Sequence, residues 1–413
     1  MSRLKGAIAV VAAAWLAGMV LAPSRVAARE IGPEANLCAE INSLSPGEEL
    51  VLRRGEYQGP CAIRRGGDAG APVTIRAADL EHRPRVVYLG STTNVLEVRA
   101  SHVVIRGLEF GPTQSSVDGV RIFAANDVVV EDCRFTGLGG IAVVANHSSL
   151  RGLTVRRNVI RDSKATAMYF GCHNGLTCVV AGLVVEGNHI RGVTAPDPEI
   201  GYGIEVKLNS SAVIRGNLIS DTKGPGIMVF GARDLVSSSL AERNVVIGSR
   251  TSSGIVVGGG PVVIRNNVSA LNSEAGIGLE DYQQRGLLRA IAVVANTVYK
   301  NAAGGITAPE SGLRDVTVIN NAAHAPAGRR SVPAPQLGLQ LAGNVDCTWV
   351  PCFANPDGMD FSPFPGSLLI SAGALPTRGS MPREDFFGVR RGAPPTVGAI
   401  ERPSGPISIN AQP

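Results

Sequence analysis

Gly203-Ile204-Glu205-Val206-Lys207-Leu208-Asn209-Ser210 is the stretch that decides how this chain folds, because it is one copy of a repeat. Gly-Ile followed by a short apolar strand recurs at Gly140, Gly203, Gly226, Gly254, Gly276 and Gly305, with Gly119-Val120 as a looser copy. With Ala167-Met168 counted as the copy between Gly140 and Gly203, the marks fall 21 to 36 residues apart. One short strand per mark at that period is the signature of stacked coils, each completing its core against the next. Side chains alternate along a strand, so Ile204 and Val206 share one face while Glu205 and Lys207 share the other. The equivalent outward positions of the next two coils are Met228 and Phe230, then Val256 and Gly258. A charged pair in a column that is otherwise apolar or small marks this coil as the candidate site.

A second feature repeats with the first. An Asn stands a few residues after one apolar position and just before another at Asn158, Asn188, Asn217, Asn244, Asn267 and Asn296, and Asp132-Cys133 occupies the place of the first. An Asn at the same turn of every coil can stack into a ladder of amide hydrogen bonds, and Asn also tolerates a left-handed backbone. Cys133 is expected in that ladder as a small buried residue, not as a nucleophile. The fold predicted is all-β: a single-stranded right-handed parallel β-helix, closed at its start by a short capping helix around Leu37-Cys38-Ala39-Glu40-Ile41.

Composition agrees. The chain has 413 residues, 50 of them Gly, with aromatics at only 4%, which suits short strands and tight turns. The expected organisation is a signal peptide over 1–28, an N-terminal cap and first coils over 29–118, and central coils over 119–323. A last coil with a C-terminal cap follows over 324–401, then a tail over 402–413. Asn344 stands at the ladder position of the last coil. Asp385-Phe386-Phe387-Gly388 and Val397-Gly398-Ala399-Ile400 are expected to lay a final strand over the open end.

Residues 1–28 combine Arg3 and Lys5, an apolar run from Ala7 to Ala22 and small residues at Val26-Ala27-Ala28, the pattern of an export signal. That run is short for a membrane span, so a secreted or periplasmic protein is expected, with no stable membrane insertion once the signal is cleaved. Removing it takes away three basic residues and no acidic ones, which lowers the formal net charge from +5 to +2. No basic stripe with interleaved aromatics is present, which argues against nucleic acid. Seven cysteines in an exported chain point to disulfides; pairing Cys38 with Cys61, Cys172 with Cys178 and Cys347 with Cys352 leaves Cys133 alone. A monomer is expected.

Stacking the coils places strands about 4.8 Å apart and turns the outward residues into columns on which a polymer could lie. Tyr169 is outward in the coil before Glu205, and His173 lies in the turn that follows it. Glu280 is outward three coils on, with Asp281, Tyr282 and Arg285 close behind. Arg121, Asn146 and His147 belong to earlier coils, and Arg233 follows the strand below Lys207. Cleaving a uronic-acid polymer by elimination needs a base for the proton α to the carboxyl group and positive charge for the enolate-like species. Lys207 fits the base, Arg233 or Arg285 the neutralising charge, and Tyr169 or His173 the proton transfer. Glu205 would orient Lys207 or, with Asp197 or Glu199, hold Ca2+; two or three carboxylates fall short of the six to eight oxygens calcium takes, so no cofactor is called for outright. Glycoside hydrolysis by Glu205 with Glu280 or Asp281 is a rival, although three coils put them roughly 14 Å apart, beyond either standard geometry. A non-catalytic carbohydrate-binding solenoid with Tyr169, Phe230 and Tyr282 as sugar platforms is the third reading.

The start of the chain resembles a known family. Leu44-Ser45-Pro46-Gly47-Glu48-Glu49-Leu50-Val51-Leu52, Gly55-Glu56-Tyr57, Gly70-Ala71-Pro72-Val73-Thr74-Ile75-Arg76-Ala77 and Val104-Ile105-Arg106-Gly107-Leu108-Glu109-Phe110 resemble right-handed β-helix polysaccharide lyases of the chondroitinase-B and alginate-lyase type. The resemblance implies an acidic polysaccharide as partner and a lysine base at a Lys-Ser-Ser-like strand end, which Val206-Lys207-Leu208-Asn209-Ser210-Ser211 matches imperfectly. The family's next coil carries an arginine in a Leu-Arg-His-Gly-like strand; here Met228-Val229-Phe230-Gly231 lacks it, and Arg233 is the nearest substitute. The family's calcium-binding acidic residues have no clear counterpart.

Overall fold

The computed structural model describes residues 28–375, 381–402 and 405–408. The expected signal peptide, save Ala28, and most of the tail lie outside the described residues. Three long sheets run the length of a solenoid: sheet A of thirteen strands, sheet B of twelve and sheet C of ten. Each coil supplies strands in the order C, A, B, and neighbouring coils pair in parallel throughout. Short strands can do this because each finds its hydrogen-bond partners in the coils above and below. The helix Leu37–Asn42 caps the first coils, its N-terminus capped by the Asn36 side chain and its Leu37 and Ile41 buried.

The Gly-Ile marks hold their register on sheet C. Ile204 pairs in turn with Ile227, Ile255, Ile277 and Ile306, and upstream with Met168, Val143 and Val120. Gly140-Ile141 is the exception: its strand begins two residues later, at Val143, so the expected parity survives and the mark does not. The inward residues of all three sheets form one continuous core.

The Asn ladder occupies the turn between sheets A and B and runs from Asn158 through Asn188, Asn217, Asn244, Asn267, Asn296 and Asn321 to Asn344. Each Oδ1 accepts from the backbone N–H and Nδ2 of the Asn one coil earlier, at 2.9–3.0 Å, and each Nδ2 also donates to a sheet A carbonyl. Asn321 escapes the sequence pattern because small Ala322-Ala323 follow it. The left-handed position is not the Asn but the residue before it, as at Arg157 (φ 53°), Arg243 (φ 54°) and Ala295 (φ 53°). Cys133 heads the ladder, its N–H donating to Asn158 at 2.9 Å; burial pushes its thiol up to about 12. The three expected disulfides are present and Cys133 is free and buried.

The C-terminal segment differs from expectation. Residues 385–388 and 397–400 add no strand to the solenoid and lie along its flank instead. Val397, Ala399 and Ile400, with Phe353, Phe361 and Leu369, cover Val245, Val268, Ala270 and Tyr299 on sheet B. Outward positions of these coils are apolar and need that cover; Arg391, bound to Glu401 and Asn266, pins it in place.

Asn217→Ala is expected to strand the Asn188 donors and destabilise the protein by about 1–3 kcal/mol, the cost of leaving buried polar groups unpaired. Urea denaturation measures it, and an unchanged midpoint would mean that the ladder does not hold the turns.

Candidate functional site

Two columns of side chains stand on the outer face of sheet C. One runs Glu97, Arg121, Val144, Tyr169, Glu205, Met228, Val256 and Gly278. The other places Phe123, Asn146, Gly171, Lys207, Phe230, Gly258 and Glu280 beside it, as the coil-to-coil backbone bonds require. Parity therefore puts Glu205 and Lys207 on the outer face, as expected.

They do not stand exposed there, which corrects the picture of an open acid–base couple. The Lys207 ammonium lies 2.7 Å from Glu205 Oε1, and the two side chains are only 3% and 2% exposed. Tyr202, Leu208, Met228, Phe230, Val256 and Leu287 form a small apolar cluster outside the sheet, with Tyr282 packed against it. The ammonium sits 4.1 Å from the centre of the Phe230 ring and 5.1 Å from that of Tyr169, an arrangement in which aromatic faces stabilise a cation. Phe230 is itself buried and meets Tyr282 edge-on at 4.9 Å, so its expected role as a sugar platform is also corrected. Close approach of loops builds this roof. A Cβ on Gly259 would meet Leu287 at 2.7 Å, and one on Gly175 in the Cys172–Cys178 loop would meet Leu208 at 2.6 Å.

Charge in this cluster shifts its neighbours. Burial raises the Glu205 carboxyl above the usual range, with Lys207 pulling the other way. Burial, and then Glu205, hold the Tyr169 phenol well above its ordinary value, so it stays protonated at neutral pH. The His173 imidazole is lowered, first by the Lys207 ammonium, then by burial and by Arg285. Glu280 is raised by burial and by Glu274. Tyr169, His173, Glu205, Lys207, Tyr282 and Arg285 are thus one electrostatic group, with His173 exposed and Tyr169, Tyr282 and Arg285 half-buried at its rim.

The other expected residues separate. Arg121 binds Asp118 and Asn146, each at 2.8 Å, several coils up the same face, where exposed His147 meets Phe123 edge-on. A cleft of about 770 Å³ opens beside them, lined by Thr113, Asp118, Arg121, Lys164, Thr194 and Glu199 among others. Arg233 is exposed in a loop whose backbone is tied to Asn209 and Arg289, and exposed Asp281 accepts from Gly286 N–H. Glu205 and Glu280 lie three strands apart in adjacent columns, so no hydrolytic carboxylate pair forms between them. The carboxylates proposed for Ca2+ also part company: Asp197 binds Lys223 at 2.6 Å while Glu205 binds Lys207. Among the described residues no three His, Cys, Asp or Glu side chains gather to hold a metal ion. Sequence reasoning passed over Asp118 and Tyr202. Both immediately precede the Gly of a repeat mark, and that shared place was the available signal.

The family described as a right-handed beta helix region matches residues 174–332. The chain is a right-handed parallel β-helix. A sequence search of curated proteins finds no match to this β-helix. Among solved structures it is similar to XylC in complex with xylose, at 9% identity and a TM-score of 0.54, covering 77% of this chain and 83% of that one. It is similar to a variant of the PL6-family alginate lyase AlyGC at 12% identity and 0.50, covering 93% of this chain and 59% of that one. The Dettilon tailspike protein aligns at 16% identity and 0.47 over 72% of this chain, which spans 60% of the tailspike's length. At such identities the likeness is one of fold.

Lys207→Met alone leaves the Glu205 carboxylate buried without a partner and is expected to cost about 3–5 kcal/mol. Adding Glu205→Gln should restore most of that stability in urea denaturation; a single variant as stable as the parent would contradict the burial of the pair.

Proposed function

We propose that the protein is an exported polysaccharide lyase that cleaves a uronic-acid polymer by β-elimination on the outer face of sheet C. The observation that carries this is the position of His173, exposed on a loop closed by Cys172–Cys178, in the field of the Lys207 and Arg285 cations. The same field that keeps the imidazole neutral, and therefore able to accept a proton, attracts a uronate carboxylate.

In this reading His173 takes the proton on the carbon next to the carboxylate. The electron pair moves into a new carbon–carbon double bond, the bond to the glycosidic oxygen breaks, and Tyr169 donates a proton to that oxygen. Arg285, with Arg233 from the neighbouring loop, neutralises the carboxylate as negative charge builds. Lys207 is assigned to the field beneath the site and not to the base, because its ammonium is ion-paired and roofed. Arg121, Asn146 and His147, beside the open cleft, would extend the binding track along the same sheet. Export rests on the leader-like residues 1–28 together with the three disulfides. A second reading, a glycan-binding solenoid without catalysis, is favoured by the burial of Lys207 and Glu205.

Incubation with a panel of uronate polymers should release products that absorb as conjugated double bonds, and His173→Ala should remove nearly all of that signal. Because His173 must be neutral to act, activity should fall as pH drops through a value below the ordinary histidine pKa of about 6.5. In the Lys207→Met/Glu205→Gln variant that limb should move up in pH, since the largest cause of the lowering is gone. Binding with no unsaturated product on any polymer would favour the non-catalytic reading, and reducing ends released from a neutral glycan would favour hydrolysis.

A further inference from the structure

Another flank of the solenoid carries charge that the fold does not consume. On sheet A outward charges are paired across coils: Arg76 with Glu49, Arg156 with Glu131, Arg215 with Glu186 and Arg265 with Glu242. The upper coils of sheet B differ. Their outward residues stack as Arg85, Glu109, Arg134, Val159 and His189 in one column and Thr136, Arg161 and Arg191 in the next. Glu109 is shared between Arg85 and Arg134 at 3.9 and 3.5 Å. Among the described residues Arg161 and Arg191 have no ion pair, and Arg83, near Arg134 and Glu109, has Nε and Nη1 buried with no hydrogen-bond partner. His189 Nδ1 is likewise buried and unpartnered, and its imidazole is lowered by burial and by Arg161 and Arg191.

This surface is a bounded site. Below it the outward residues of sheet B become Leu218, Val245 and Val268, which the C-terminal segment covers. Within it a cleft of about 300 Å³ is lined by Arg85, Glu109, Pro112, Arg134, Thr136 and Arg161. Guanidinium groups that repeat at strand spacing, about 4.8 Å per coil, suit a ligand that offers an anion at intervals along its length. Phe110, the aromatic residue at the cleft, is buried, so no ring is presented for base stacking, which disfavours single-stranded nucleic acid.

We propose that this face of sheet B is a second, non-catalytic binding surface for an acidic glycan, held by its carboxylate or sulfate groups against Arg134, Arg161 and Arg191. It does not rest on the elimination chemistry assigned to sheet C. The test compares the full chain with the Arg134→Ala/Arg161→Ala/Arg191→Ala variant in calorimetric titrations at low salt, using a galacturonic acid polymer, a sulfated glycosaminoglycan and a single-stranded oligonucleotide. Affinity for the carboxylated or the sulfated polymer should fall about tenfold or more, the scale expected when charge-assisted hydrogen bonds are lost, and the polymer that responds identifies the anion. Any turnover of an oligouronate too short to span both flanks should be unchanged. If the triple variant melts early, Arg161→Glu alone decides by the same loss of affinity. Unchanged affinity for both glycans, or parent binding to the oligonucleotide as tight as to either glycan, would overturn the proposal. Lost glycan binding in a protein that yields no unsaturated product would uphold this surface and remove the lyase reading.

Discussion

No coil of this protein can complete itself. Its strands of two to six residues have backbone donors and acceptors that only the adjoining coils can meet, and its turn between sheets A and B needs polar side chains where water is excluded. The Asn ladder answers that need: one amide accepts two hydrogen bonds from the coil before it and donates into sheet A. Because every rung fixes the height and rotation of its coil, outward residues far apart in sequence are held in straight columns. The candidate surfaces on sheets B and C inherit their spacing from that turn.

The charged pair on sheet C shows how much such a column can be altered without leaving the register. Glu205 and Lys207 take outward positions, yet the segments that carry Tyr202, Leu208, Tyr282 and Leu287 fold over them. Two charges removed from water are tolerated because they satisfy each other and because aromatic faces of Tyr169 and Phe230 meet the ammonium. The outcome is a fixed internal field with titratable groups around its rim. His173 feels it as a lowered affinity for protons, and Tyr169 feels Glu205 in the opposite sense, as a proton held more tightly. At neutral pH the imidazole is therefore free to accept a proton while the phenol keeps its own.

The architecture was legible because its two periodic signals are local: Gly-Ile at the sheet C strands from Ile204 onward and Asn at the turns from Asn158 onward. Where side chains are small the signal fades, as at Asn321, and where a loop shifts the strand it misplaces the start, as at Gly140-Ile141. Strand parity read the outer face correctly but could not report the roof, which comes from Leu287 and Tyr282, remote in sequence from the pair, and from Tyr202, just ahead of its strand. The same limit explains the C-terminal segment. Its apolar residues announce burial, and only the apolar outward positions Val245, Val268 and Tyr299 say where.

The proposed elimination requires a uronate to reach the rim of the buried pair. A crystal structure of the protein with a short oligouronate tests this most directly. It should show a sugar carboxylate against Arg285, with the His173 ring facing the carbon beside that carboxylate and Tyr169 facing the glycosidic oxygen. A sugar bound elsewhere, with the Cys172–Cys178 loop and the Tyr282–Leu287 roof untouched, would contradict it.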